Sequence, residues 1–132
     1  MATVAKTKQL NVQGHNRVGL LADIASALAG AKANLTAICC YCMGEQASFL
    51  IIADKHAAAK KALIKAGLAV TEDTVIRADL SNKPGELANV AGKISAAGVD
   101  MDYVYATAAG KSASVIIKSK DDASALKALR KK

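Results

Sequence analysis

Apolar positions along the chain change period in a repeating order. Residues 8–13, "KQLNVQ", alternate polar and apolar, which predicts a strand. From Gly19 to Ala31 the apolar residues Leu20, Leu21, Ile24, Ala25 and Leu28 fall on one helical face. "LTAICCYCM" (35–43) and "ASFLIIAD" (47–54) are strand-like and flank the tight-turn pair Gly44-Glu45. "KHAAAKKALIKA" (55–66) is an Ala/Lys-rich helix, with Gly67 placed to end it. "LAVT" (68–71) reads as a short closing strand.

The same order then recurs. A strand over 74–80 leads to a helix from Gly85 to Ala97, strands over 101–108 and 112–119, and a helix over 121–130. Asp121 and Asp122 suit the positive start of that last helix. Asn16 matches Asn82, and the register holds without a gap, at an offset of 66, to Leu63 and Leu129. Gly19/Gly85, Leu21/Leu87, Gly44/Gly110, Ser48/Ser114 and Ile51/Ile117 are among the matches. Gapless self-similarity of this length means one folding unit used twice. The predicted class is α+β: a duplicated ferredoxin-like βαββαβ sandwich, with domains at 1–72 and 73–132.

The second copy ends before a counterpart of "LAVT", so it is expected to lack its last strand and to leave one edge of its first strand unpaired. About two residues separate "LAVT" from "TVIRADL". The two could pair as a hairpin, with the closing strand of copy one serving both sheets. An exposed apolar edge predicts a homodimer or larger assembly.

Composition narrows the function. The chain has 132 residues and is 52% hydrophobic, enough for a core, and no apolar run approaches the ~20 residues of a membrane span. The N-terminus has no long apolar segment, so neither a secretory signal nor a membrane partner is expected, and the location expected is cytoplasmic. The net charge of +7 raises the prospect of an anionic partner. Aromatics are only 3% and do not interleave with the basic residues, which argues against nucleic acid. An RRM-like RNA-binding module remains the alternative, with Phe49 as its one aromatic on a central strand. An acylphosphatase-like hydrolase would use Arg17 to hold an anion, but no further catalytic set accompanies it. No catalytic residue, cofactor or metal is therefore assigned. Cys39, Cys40 and Cys42 are read as small buried hydrophobes, Cys40 and Cys42 sharing one strand face and Cys39 taking the other. His15 stands in the first loop, and His56 caps or flanks a helix.

The two strand–helix loops carry the chemistry. A helix start offers unpaired N–H groups and partial positive charge, a seat for a carboxylate. Gly19 and Gly85 let a ligand approach the backbone, and Asn16 and Asn82 can both donate and accept hydrogen bonds. These features suit a zwitterionic amino acid. They equally suit a helix cap and a turn.

The loops "NRVGLL" (16–21) and "NKPGEL" (82–87) resemble the Asn-Lys/Arg-Pro-Gly-x-Leu motif of ACT domains, the small-molecule regulatory modules of amino-acid metabolism. "KANL" with Asn34 and "GVDM" with Asp100 stand where that family often has Gly-hydrophobic-Asn-Ile. Copy one is similar at this site to the regulatory domain of phosphoglycerate dehydrogenase, in which the matching asparagines bind serine across a domain interface. The resemblance implies a non-catalytic regulatory protein that binds an amino acid and acts in trans on an enzyme or regulator. The implied ligand positions are Asn16, Arg17, Val18, Gly19, Leu20 and Asn34 in copy one, and Asn82, Lys83, Pro84, Gly85 and Asp100 in copy two. Val18 replaces the motif proline, and Asp100 adds a negative charge where asparagine is usual.

Overall fold

The computed structural model describes residues 3–131. Ten elements follow one another: β1 (Thr3–His15), α1 (Leu20–Gly30), β2 (Leu35–Met43), β3 (Gln46–Ala53), α2 (His56–Lys65), β4 (Ala69–Ser81), α3 (Glu86–Ala96), β5 (Met101–Ala109), β6 (Ser112–Ser119) and α4 (Asp122–Arg130). They form two compact units. The first is Lys8–Asp73; the second joins residues 3–7 to 74–131.

In the first unit the strand order is β2-β3-β1-β4, the ferredoxin-like order, with the beginning of β4 in fourth place. Alternation along β1 and β3 sends Leu10, Val12, Phe49 and Ile51 to the helix side, where they pack with Leu20, Ile24 and Leu28 of α1 and Leu63 of α2. The helix α2 ends as its sequence predicts. Gly67 takes φ 86, its N–H donates to the Ile64 carbonyl at 2.9 Å, and the Leu68 N–H donates to the Leu63 carbonyl at 3.2 Å.

The second unit repeats this core at the same offset. Ile76, Val90, Ile94, Val115, Ile117 and Leu129 pack together at the positions matching Leu10, Ile24, Leu28, Phe49, Ile51 and Leu63. Asp121 caps α4, accepting from the Ser124 N–H at 3.0 Å.

Two expectations are corrected here. The second copy has no strand of its own after α4 among the described residues, as expected, but its first strand is not left with an unpaired edge: the order of its unit is β1-β4-β6-β5, so residues 3–7 take the fourth place and β4 has a neighbour on each side. Val4 packs against the second core, and its carbonyl accepts from Arg130 Nη2 at 3.1 Å. The strand missing after α4 is thus supplied from the N-terminal end of β1. There is also no hairpin between 68–71 and 74–80. The chain runs through as one 13-residue strand, β4. A turn would leave backbone groups of 72–74 outside the ladder, whereas a continuous strand keeps them in it. The compact units consequently divide at 7/8 and 73/74, with residues 3–7 on the side of the second copy.

Candidate functional site

In the first unit the β1–α1 loop overhangs an open cleft of about 640 Å³. Its floor is β2 and β3, through Cys40, Cys42, Ala47 and Phe49; one wall is α1, through Leu20, Leu21, Ala22 and Ala25; the lip is Asn16, Arg17 and Gly19. The cleft is open at the side because β2 is the outer strand of its unit. The volume lies within the usual range for small-molecule sites, about 300–1,000 Å³.

The second unit has the same cleft at the same offset, lined by Asn82, Lys83, Glu86, Leu87, Ala106, Ala108, Ala113 and Val115 among others, but of only about 220 Å³. Its lining differs at several positions, among them Val115 where copy one has Phe49. Glu86 stands where copy one has Leu20, and Ala106 and Ala108 stand where it has Cys40 and Cys42.

The loops are built alike. The Asn16 N–H donates to the Glu45 carbonyl at 2.6 Å, and the Asn82 N–H to the Lys111 carbonyl at 2.9 Å, so each loop is tied to the facing hairpin turn. Gly19 (φ 89) and Gly85 (φ 88) are themselves the residues preceding α1 and α3, in left-handed backbone open to glycine. Neither helix has a side-chain cap. Asn16 and Asn82 are therefore not helix caps, one of the two roles their sequence positions allow. The Asn82 carboxamide donates to the Gly110 carbonyl at 3.0 Å. The Asn16 carboxamide has no such partner among the described residues. Arg17 is ion-paired with Asp23 in the first turn of α1.

Of the expected site residues, the structure gathers Asn16, Arg17, Gly19 and Leu20 around the first cleft, and Asn82 and Lys83 around the second. Val18 is fully exposed at the tip of its loop, and Pro84 and Gly85 shape their loop without lining the cleft. Asn34 and Asp100 lie past the far ends of α1 and α3. At 1.5 Å per residue, an 11-residue helix sets them about 16 Å from the loops. Within one unit, then, Asn34 does not share a site with Asn16. Asn34 instead brackets Asp54, its N–H donating to Oδ1 at 2.8 Å and its carbonyl accepting from the Asp54 N–H at 3.1 Å.

The cysteines depart from expectation. Cys40 and Cys42 are exposed, and Cys39 is half-buried. Because β2 is an outer strand, the face that Cys40 and Cys42 share is only partly covered by α1. They and the apolar wall residues Leu21, Ala22 and Ala25 are the cleft components that the loop motif does not indicate. Carrying the alternation of β2 across to its partner would have found them, since Cys40 pairs with Phe49 and Cys42 with Ala47, both on the helix side. Phe49 is 6% exposed within the core and is no platform for a base, which removes the feature that supported RNA binding. His15 ends β1 opposite Gln46 and does not line the cleft. His56 opens α2, with Nε2 at 2.8 Å from Glu72 Oε1. That contact and Lys60 at 3.1 Å hold the Glu72 carboxyl below the usual carboxylate range. Among the described residues no group of three or more His, Cys, Asp or Glu side chains is placed to hold a metal ion.

Two ferredoxin-like repeats, each with a glycine-led helix over a lateral cleft, define a tandem small-domain module. The family model for an ACT domain pair matches residues 5–130, and the chain belongs to that family. Protein BT0572 from Bacteroides thetaiotaomicron is similar at 30% identity and a TM-score of 0.90, over 96% of this chain and 88% of that one. The regulatory subunit of aspartate kinase from Thermus thermophilus aligns with a TM-score of 0.64 at 20% identity, over 96% and 93% of the two chains. That from Thermus flavus aligns with a TM-score of 0.61 at 19% identity, over 96% and 94%. No curated protein matches the sequence. No helix among the described residues is long and apolar enough to cross a membrane.

Proposed function

We propose that this chain is a non-catalytic amino-acid sensor, a pair of ACT domains that binds a small amino acid in the first cleft and acts on a partner enzyme or regulator in trans in the cytoplasm. One observation carries the reading: both copies leave the start of the loop-bound helix without a side-chain cap and set it over a cleft at the same offset. Unpaired N–H groups at such a helix start favour a carboxylate. The Asn16 carboxamide and Arg17 stand at the lip to complete the contact, with Gly19 keeping the approach open and Leu20 and Leu21 facing the side chain of the ligand. Family membership supports a regulatory role, and the aspartate kinase regulatory subunits illustrate the kind of partner such a module serves.

The outer strands support a homodimer. Ile38, Tyr41 and Met43 on β2, and Met101 and Val104 on β5, are large apolar side chains left exposed. Asn34 and Asp100 would then meet a ligand only as groups brought by a second chain to the loop of the first, the arrangement implied by the resemblance to phosphoglycerate dehydrogenase. Sedimentation at micromolar concentration should show a species larger than 13.5 kDa; a monomer alone would remove this part of the reading.

A thermal-shift screen of the twenty amino acids, followed by calorimetry, tests the site. Losing one hydrogen bond to a charged group costs about 1.5–3 kcal/mol, so Asn16→Ala should weaken binding roughly ten- to a hundredfold. Its melting temperature without ligand should stay at the wild-type value, because the side chain caps nothing. No stabilisation by any amino acid at millimolar concentration would defeat the reading.

A further inference from the structure

We propose that Cys40 and Cys42 make the first cleft a thiol-controlled site: a low-molecular-weight disulfide caps one of them, and the adduct closes the cleft to its amino acid. Three observations converge. Both thiols are exposed, while Cys39 is less so. Both line the cleft floor on the helix side, fixed there by the pairing of Cys40 with Phe49 and Cys42 with Ala47, whereas Cys39 pairs with Leu50 on the opposite face. The duplicated cleft has Ala106 and Ala108 at the same positions, so the fold does not need sulfur there. Alanine suffices to build the floor in one copy; the thiols of the other are surplus to packing.

The chemistry is thiol–disulfide exchange. The thiolate sulfur of Cys40 or Cys42 attacks one sulfur of the small disulfide, and the disulfide's S–S bond breaks. A new S–S bond joins the cysteine to one half. The other half leaves as a thiolate and takes up the proton that the cysteine gave up. The cysteine is oxidised and the departing half reduced, so no further oxidant is required. A substituent of peptide size on the floor fills the space between β2 and α1 that a ligand side chain would use. A reducing thiol reverses the reaction.

The switch rests on the amino-acid reading of the cleft; the capping reaction does not. Oxidised glutathione is the probe, applied to the full chain, to Cys39→Ala and to the double variant Cys40→Ala/Cys42→Ala, which carries alanine at the two positions where the second unit has Ala106 and Ala108. Adducts are mapped by peptide mass, and amino-acid affinity is read by calorimetry before and after capping and again after reduction. Wild type and Cys39→Ala should gain the adduct on Cys40 or Cys42 and lose about tenfold or more in affinity, restored by reduction. The double variant, whatever its own starting affinity, should gain no adduct in the cleft and show no change in affinity on treatment or on reduction. Bound amino acid should in turn slow capping. Adduct formation on Cys39 as fast as on the other two, or capped protein that binds as tightly as uncapped, overturns the proposal. If the uncapped protein binds no amino acid, the reading of the cleft fails and the switch falls with it. The adduct map would show the same preference in that case, which tells the two failures apart.

Discussion

Single residues set the loop geometry and part of the pH response. Gly19 and Gly85 hold φ near 90° with no crowding atom closer than 3.7 Å, so an added Cβ would be strained by backbone conformation rather than by space. Gly19→Ala should cost about 1–2 kcal/mol, read as a lower melting temperature, and Gly85→Ala about the same. Acid acts on the carboxylates. Asp122 is buried enough to raise its pKa, yet hydrogen bonds from Ser119 (Oγ at 2.6 Å) and Lys118 (Nζ at 3.2 Å) outweigh burial and leave it low. Glu72 is held low by His56 and Lys60. A carboxylate whose folded pKa is depressed adds stability above its unfolded pKa and loses it as pH falls through the folded one. With unfolded values near 4, melting temperature should hold from pH 7 to about 5 and drop below that. Asp122→Asn should cost about 1.5–3 kcal/mol at pH 7, and the gap to wild type should narrow as pH falls below the unfolded value near 4 and toward the depressed folded one. Parallel melting curves at every pH would contradict this.

At the scale of elements, the helices were legible in the sequence because their apolar spacing and punctuation agree: Gly19, Gly67 and Gly85 each mark a boundary that left-handed backbone enforces. The long strands were less so. In β1 the stretch 3–7 carries one apolar residue on the core side, Val4, and its role depends on core residues more than seventy positions away. In β4 the polar run Thr71–Thr74 breaks the apolar alternation and mimics a turn, although its backbone continues the strand. The lip of the cleft could be found from its motif. The floor took a further step, because which face of β2 meets α1 depends on its pairing with β3. The borrowed strand makes its own prediction. Val4→Asp should destabilise the second unit, placing a charged group against its apolar core. Amide exchange should quicken in β6 before it does in β3. Uniform change in both units, or none, would argue against residues 3–7 as the fourth strand of that unit.

For the molecule as a whole, duplication sets up two clefts, and their side chains differ in how well they suit a carboxylate ligand. Each cleft has the uncapped helix, the positive-φ glycine and the loop asparagine. In the second, the Glu86 carboxylate stands in the first turn of α3, where copy one has Leu20, and the space is about 220 Å³ against about 640 Å³. A carboxylate lining the cleft at a helix start repels a second one, whereas Asp23 in the first turn of α1 is ion-paired with Arg17 and does not line the first cleft. The Asn82 carboxamide is, moreover, engaged by the Gly110 carbonyl. Calorimetry with the amino acid found by screening should therefore give a stoichiometry of one per chain. Glu86→Leu restores the residue of copy one at that position and removes the competing charge, and should raise the stoichiometry toward two or add a second, weaker phase. Asn16→Ala in the same background should then weaken the tighter phase roughly ten- to a hundredfold and leave the other unchanged. A stoichiometry of two in the wild type would mean that Glu86 does not exclude the ligand.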